Sequence, residues 1–127
     1  MAFEEAIKPV SRPAGADLSN WNTYKYTVVK LDTNGNAVPV TASTDVSYGI
    51  LLNDPKQGQA ARIGIDGVVK LRLGATVAAG ALVAFDTAGK GKAPATGNRV
   101  IGVAVQGGVN GDIIPVQVSF GSQYLSA

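Results

Sequence analysis

The segment AARIGIDGVVKLRL, residues 60–73, alternates apolar and polar side chains on either side of Asp66-Gly67. Ala61, Ile63 and Ile65 share one side. After the break Val69, Leu71 and Leu73 share a side, with Lys70 and Arg72 opposite. A period of two is that of a β-strand with one face buried. Asp-Gly between two such runs is a hairpin signal, because both residues tolerate positive φ. The expectation is therefore two strands, 60–65 and 68–73, joined by a tight turn.

The same grammar continues in both directions. Tyr24 to Leu31 is rich in aromatic and β-branched residues, Asn34-Gly35 marks a turn, and Val38 to Thr41 reads as the return strand. Val46 to Leu52 places Val46, Tyr48, Ile50 and Leu52 on one face. Ala81 to Asp86, Val100 to Gln106 and Ile113 to Phe120 complete the set. Pro115 lacks a backbone donor, which predicts an edge strand or a bulge there. Ala75 to Ala79 offers no more than one helical turn. Short strands with turn signals every 8–12 residues predict an all-β, single-domain barrel or sandwich. At least six strands are expected, and no helix longer than two turns. The expected core holds Ile50, Ile63, Val69, Leu71, Leu82, Ile101, Val103, Val116 and Val118.

Residues 1–20 read differently from the body at 21–127. Pro9, Pro13 and Gly15 interrupt any period, and prolines keep a chain extended. They predict an extended N-terminal arm that could span roughly 65 Å at about 3.3 Å per residue. Phe3, Ile7, Val10 and Leu18 are large apolar side chains with little use in a solvated tail. They are candidate contact residues, with the arm lying over a neighbouring subunit and ordering only there. Trp21, at the junction, either plugs the core or anchors an intersubunit contact.

Composition narrows the chemistry. The 127 residues contain no His and no Cys, so Ser-His-Asp, Cys-His and the usual zinc sites are excluded, as are disulfides. Asp32, Asp54, Asp66, Asp86 and Asp112 sit beside turn residues, where Asp bonds nearby backbone N–H groups. Glu4 and Glu5 lie in the arm, so no carboxylate pair stands out. Gly89-Lys90-Gly91-Lys92 lacks P-loop spacing and reads as a hairpin connection. No metal, cofactor or catalytic residue is expected.

Charged residues make up 16% of the chain, against a norm of about 25%. Weakly polar surface of this kind is easily desolvated against another protein. The net charge of +2 is too small and scattered for a nucleic-acid or membrane footprint. No run of about 18 apolar residues is present to span a membrane as a helix. Acidic Glu4-Glu5 stands where a secretory signal would carry base, so synthesis in a cytoplasm is expected.

From Val46 to Phe120 the pieces occur in a telling order. Tyr48-Gly49-Ile50-Leu51-Leu52 precedes Gly58-Gln59-Ala60-Ala61-Arg62-Ile63 and then Asp66-Gly67-Val68-Val69-Lys70-Leu71. Val77-Ala78-Ala79-Gly80-Ala81-Leu82-Val83 then runs into Phe85-Asp86-Thr87-Ala88-Gly89-Lys90. Val100-Ile101-Gly102-Val103-Ala104-Val105 and Gly111-Asp112-Ile113-Ile114-Pro115-Val116 follow. This order resembles the capsid decoration, or cement, proteins of tailed phages, a family formerly catalogued as a domain of unknown function. The resemblance implies a compact, tulip-like β-barrel without catalysis. It also implies a homotrimer on the capsid exterior, bound to the major capsid protein near threefold positions and made in the host cytoplasm. On that reading Phe3, Ile7, Val10, Leu18 and Trp21 contact the capsid or a neighbouring subunit. The alternatives are a virion-surface module for a host glycan or receptor, which exposed tyrosines would favour, and a β-barrel enzyme, which would need a deep polar pocket.

Overall fold

The computed structural model describes residues 4–126. Its longest element is one unbroken strand, β5, Ala60–Arg72. The turn expected at Asp66-Gly67 does not form. Gly67 takes φ +97°, a conformation that costs glycine little, and the strand passes through it. Pairing on both edges keeps β5 extended. Gly64 pairs with Ile50 of β4 (Gly49–Leu51) and with Pro9 of β1 (Glu5–Pro13). Asp66 pairs with Lys8 of β1 and with Ser119 of β9 (Ile113–Ser119). A local turn signal yields here to neighbours that supply ladder bonds along both edges.

The remaining strands are β2 (Val28–Leu31), β3 (Ala37–Pro39), β6 (Leu82–Phe85), β7 (Gly91–Lys92), β8 (Arg99–Ala104) and β10 (Tyr124–Leu125). The sheet runs β3-β2-β4-β5-β9-β8-β6-β7, with β1 added on β5 and β10 on β8. All pairings between these strands are antiparallel, and the sheet curls into a half-barrel. The only α-helix among the described residues is the single turn α1, Trp21–Tyr24.

Two hydrophobic cores lie on opposite faces of the sheet. The inner one gathers Val28, Ile50, Val69, Leu71, Phe85 and Val116. The second gathers Ala14, Leu18, Val29, Leu51 and Ile63. Consecutive residues Val28–Val29 and Ile50–Leu51 therefore point into different cores, and β4 is buried on both faces. This overturns the single buried face read for 46–52: Leu51 is fully buried, whereas Val46 is 72% exposed.

The N-terminal segment covers the second core. Residues 5–13 are extended, as expected, but they pair with β5 of the same chain. Ile7 packs against the inner core and Val10 against the second. Leu18 is fully buried, and its N–H donates to the Pro55 carbonyl (2.9 Å). The expectation that the arm lies over a neighbour is corrected to that extent. Without this cover, Leu51, Ile63 and Val29 would face water, and each such burial is worth roughly 1.5–3 kcal/mol. Pro9 and Pro13, with Lys8 and Arg12, blunt β1 against further pairing.

Two further readings change. β9 is not an edge: it lies between β5 and β8. The Pro115 carbonyl accepts from Val105 N (3.0 Å), so its missing donor falls where the β8 ladder has ended at Ala104. Leu82 and Val103, expected in the core, are 47% and 40% exposed, while the other seven expected core residues are buried. The cause is a bulge. Val83 pairs with Gly102 but Ala84 with Val100, which leaves Ile101 as the extra residue. Ile101 turns inward out of phase, and Gly102 and Ala104 take the inner face opposite Val118 and Val116.

The hairpin at Asn34-Gly35 forms as read, and so does that at Gly89-Lys90. The two loops, Asp32–Asn36 and Asp86–Lys90, are built alike. In each, the Asp Oδ1 accepts from residues two and four ahead (2.9 and 2.9 Å; 2.9 and 3.0 Å). In each, the fourth residue is a glycine at φ +78° or +76°.

Candidate functional site

The candidate residues separate into inward and outward groups. Phe3 lies outside the described residues. Ile7 and Val10 are half-buried and Leu18 is buried, all against the chain's own cores. Trp21 alone among them stands clear, at 56% exposure, on the helical turn that follows the second-core cover. Its side chain is not a core plug. Its backbone carbonyl accepts from Arg72 Nη2 (3.2 Å), and Arg72 Nε reaches the Lys25 carbonyl (3.3 Å).

A second surface was missed in the sequence. Leu82 and Val103 are direct cross-strand partners on the outer face of the sheet. Val103 in turn pairs with Gln117. Together with Tyr124 they line a shallow groove of about 400 Å³ that is mainly apolar. Tyr124 and Leu125 continue the exposed apolar surface at 50% and 52%. Gly102 could have signalled this phase. A Cβ there would lie 2.0 Å from the Gln117 carbonyl oxygen, so the inner position tolerates no side chain.

Several aspartates accept from nearby backbone amides. Asp32 and Asp86 hold their loops, Asp112 Oδ2 accepts from Val109 N (2.9 Å), and Asp66 Oδ1 from Gly67 N (2.7 Å). Asp45 accepts from Thr41 N (2.9 Å), Ala42 N (3.2 Å) and Lys30 Nζ (3.1 Å). The Thr41 bond, followed by Lys30 and Ala42, holds its carboxyl below the ordinary value against a partial burial penalty. Among the described residues no three His, Cys, Asp or Glu side chains cluster as metal ligands, and no helix is long and apolar enough to cross a membrane. Lys8, Tyr48, Ile65, Asp66 and Phe120 line a second open groove of about 380 Å³. What the arrangement offers is surface for contact.

The sequence model of a family described as phage cement protein matches residues 18–118. No curated protein matches the chain. Among solved structures, the chain is similar to the head fiber gp8.5 N base of bacteriophage phi29, with a TM-score of 0.68 at 12% identity. The superposition covers 90% of this chain and 95% of that one, which establishes a shared fold.

Proposed function

The chain belongs to the phage cement protein family, and on that premise we propose that it binds the outside of a capsid and clamps neighbouring major capsid protein subunits. It does so as a homotrimer and without catalysis. The observation that carries this reading is the mainly apolar outer face around Leu82, Val103 and Tyr124, with Asp66 the one charged residue lining its groove. Such a face loses little on desolvation and suits packing against another protein surface. Leu82 and Val103, half exposed side by side, can pack apolar surface against apolar surface. We assign it to the contact between copies.

Clamping follows from linkage. A protein that binds the joined arrangement of shell subunits, and not the parted one, stabilises it by RT ln(1 + [L]/Kd), about 2.7 kcal/mol per site at one hundred times Kd. Joining three protomers adds avidity without new contacts.

Electron microscopy and heating of shells prepared with and without the protein test the reading. The decorated shell is expected to show added density on its exterior and to open at higher temperature. Equal heat resistance of bare and coated shells, with binding instead to host-cell glycan, would favour a receptor-binding module and sink the cement role.

A further inference from the structure

Away from the apolar face, three cations gather around the Tyr26 ring and the Trp21 backbone, where β5 meets the segment after α1. Lys25 Nζ lies 5.3 Å and Lys70 Nζ 5.6 Å from the centroid of the same Tyr26 ring. Arg72 ties this group to Trp21 through the two carbonyl contacts already described. None of the three cations has a carboxylate partner: the one ion pair among the described residues is Lys30–Asp45. Asp86 and Asp112, beside Leu73 and Gly74 at the end of β5, direct carboxylate oxygens to turn amides.

Tyr26 is the telling member. It is the only non-glycine residue with positive φ, at +64°, among the described residues. Its backbone is pinned there, its N–H donating to Leu51 O (2.8 Å) and its carbonyl accepting from Arg72 N (2.8 Å). Glycine would occupy that conformation at lower backbone cost. A tyrosine kept in it implies a use for the ring, and strained backbone clusters at functional positions. The ring face attracts two ammonium groups, which then repel each other until an anion arrives.

We propose that Trp21, Lys25, Tyr26, Lys70 and Arg72 form the shell-facing contact, and that its partner is an acidic loop of the capsid protein. The source of that loop rests on the capsid-binding reading above; its acidity follows from the uncompensated charge. Trp, Tyr and Arg are the residue types that dominate protein–protein hot spots. Three cations in one cluster, on a chain of net charge +2, make a poor track for a nucleic-acid backbone.

The test titrates the full-length protein onto shells prepared without it, at 50 and 300 mM NaCl. The proposal predicts that Lys25→Gln/Lys70→Gln binds at least tenfold more weakly at the lower salt. The salt dependence of the wild type should largely vanish in that variant. Lys8→Gln/Lys56→Gln, with the same charge change on β1 and on the loop before β5, should bind like wild type. Circular dichroism verifies that each variant is folded. Equal affinity of Lys25→Gln/Lys70→Gln and wild type overturns the patch while leaving the cement role intact. If the wild type itself does not bind shells, both fall. Loss of binding to an oligodeoxythymidylate or an anionic glycan, with shell binding unchanged, also overturns the acidic-loop assignment.

Discussion

Gln123 and Ser47, 76 positions apart, satisfy each other almost completely. Gln123 Oε1 accepts from Ser47 N (3.1 Å) and Ser47 Oγ (2.8 Å), and its Nε2 donates to Ser47 O (2.8 Å) and Phe120 O (2.7 Å). Among the described residues Ser47 is one of two buried polar ones, at 4% exposure. This clasp fixes the chain after β9 against the segment before β4 and delivers β10 to the edge of β8.

Gln123→Ala therefore strips partners from buried groups and is expected to destabilise the fold by roughly 1–3 kcal/mol, the cost of an unsatisfied buried polar group. Gln123→Glu should also lose stability, since a carboxylate cannot donate to the Ser47 and Phe120 carbonyls. Urea unfolding measures both. A midpoint unchanged in either variant would mean that water replaces the clasp without cost.

Leu18→Ala should cost about 2–5 kcal/mol, as for other buried leucines. Deleting residues 1–18 should do more, because Leu51, Ile63 and Val29 lose their cover along with Leu18. The truncated chain is expected to melt well below the full chain and to bind the dye ANS. A truncated body with the same melting temperature would show that the second core does not need its N-terminal cover.

Leu82→Lys/Val103→Lys places two like charges in a cross-strand pair on the outer face. Both positions are already about half exposed, so the monomer fold should survive with an unchanged β-sheet dichroism signal. Self-association should fail. Sedimentation is expected to show a trimer for the wild type and a monomer for the variant. Trimers in both would move the contact between copies to another surface.

Asp45 links stability to pH. Its carboxyl titrates below its ordinary value of 3.8 in the folded chain. A depressed folded value contributes stability above the unfolded pKa, and that contribution is lost as pH falls through the folded one. Stability should thus decline below about pH 4. Asp45→Asn should be less stable than wild type at pH 7 and show a shallower decline in acid. Parallel pH profiles for the two proteins would place the acid sensitivity elsewhere.

The all-β class was legible in the chain because alternation and turn chemistry are local. The period of two over Ala60–Ile65 and Val68–Leu73, and the Asx loops at Asp32 and Asp86, are short-range physics that tertiary context did not override. The family resemblance was legible in the order of those pieces. The absence of His and Cys removed the commonest catalytic chemistry on composition alone.

What the tertiary structure decided were matters of partnership. Asp66-Gly67 reads as a turn until β1, β4 and β9 occupy the edges of β5 and hold it straight. Val103 reads as core until the bulge at Ile101 reverses the phase of β8. Leu18 reads as a contact residue for a neighbouring subunit until the chain's own second core takes it. The aromatic–cation patch joins Trp21, Lys25 and Tyr26 to Lys70 and Arg72 on a distant stretch of chain, through pairing that no local pattern encodes. Side-chain direction in a strand depends on register, and register depends on the neighbouring strand. A sequence read one segment at a time carries the strands but not the sides they turn to one another.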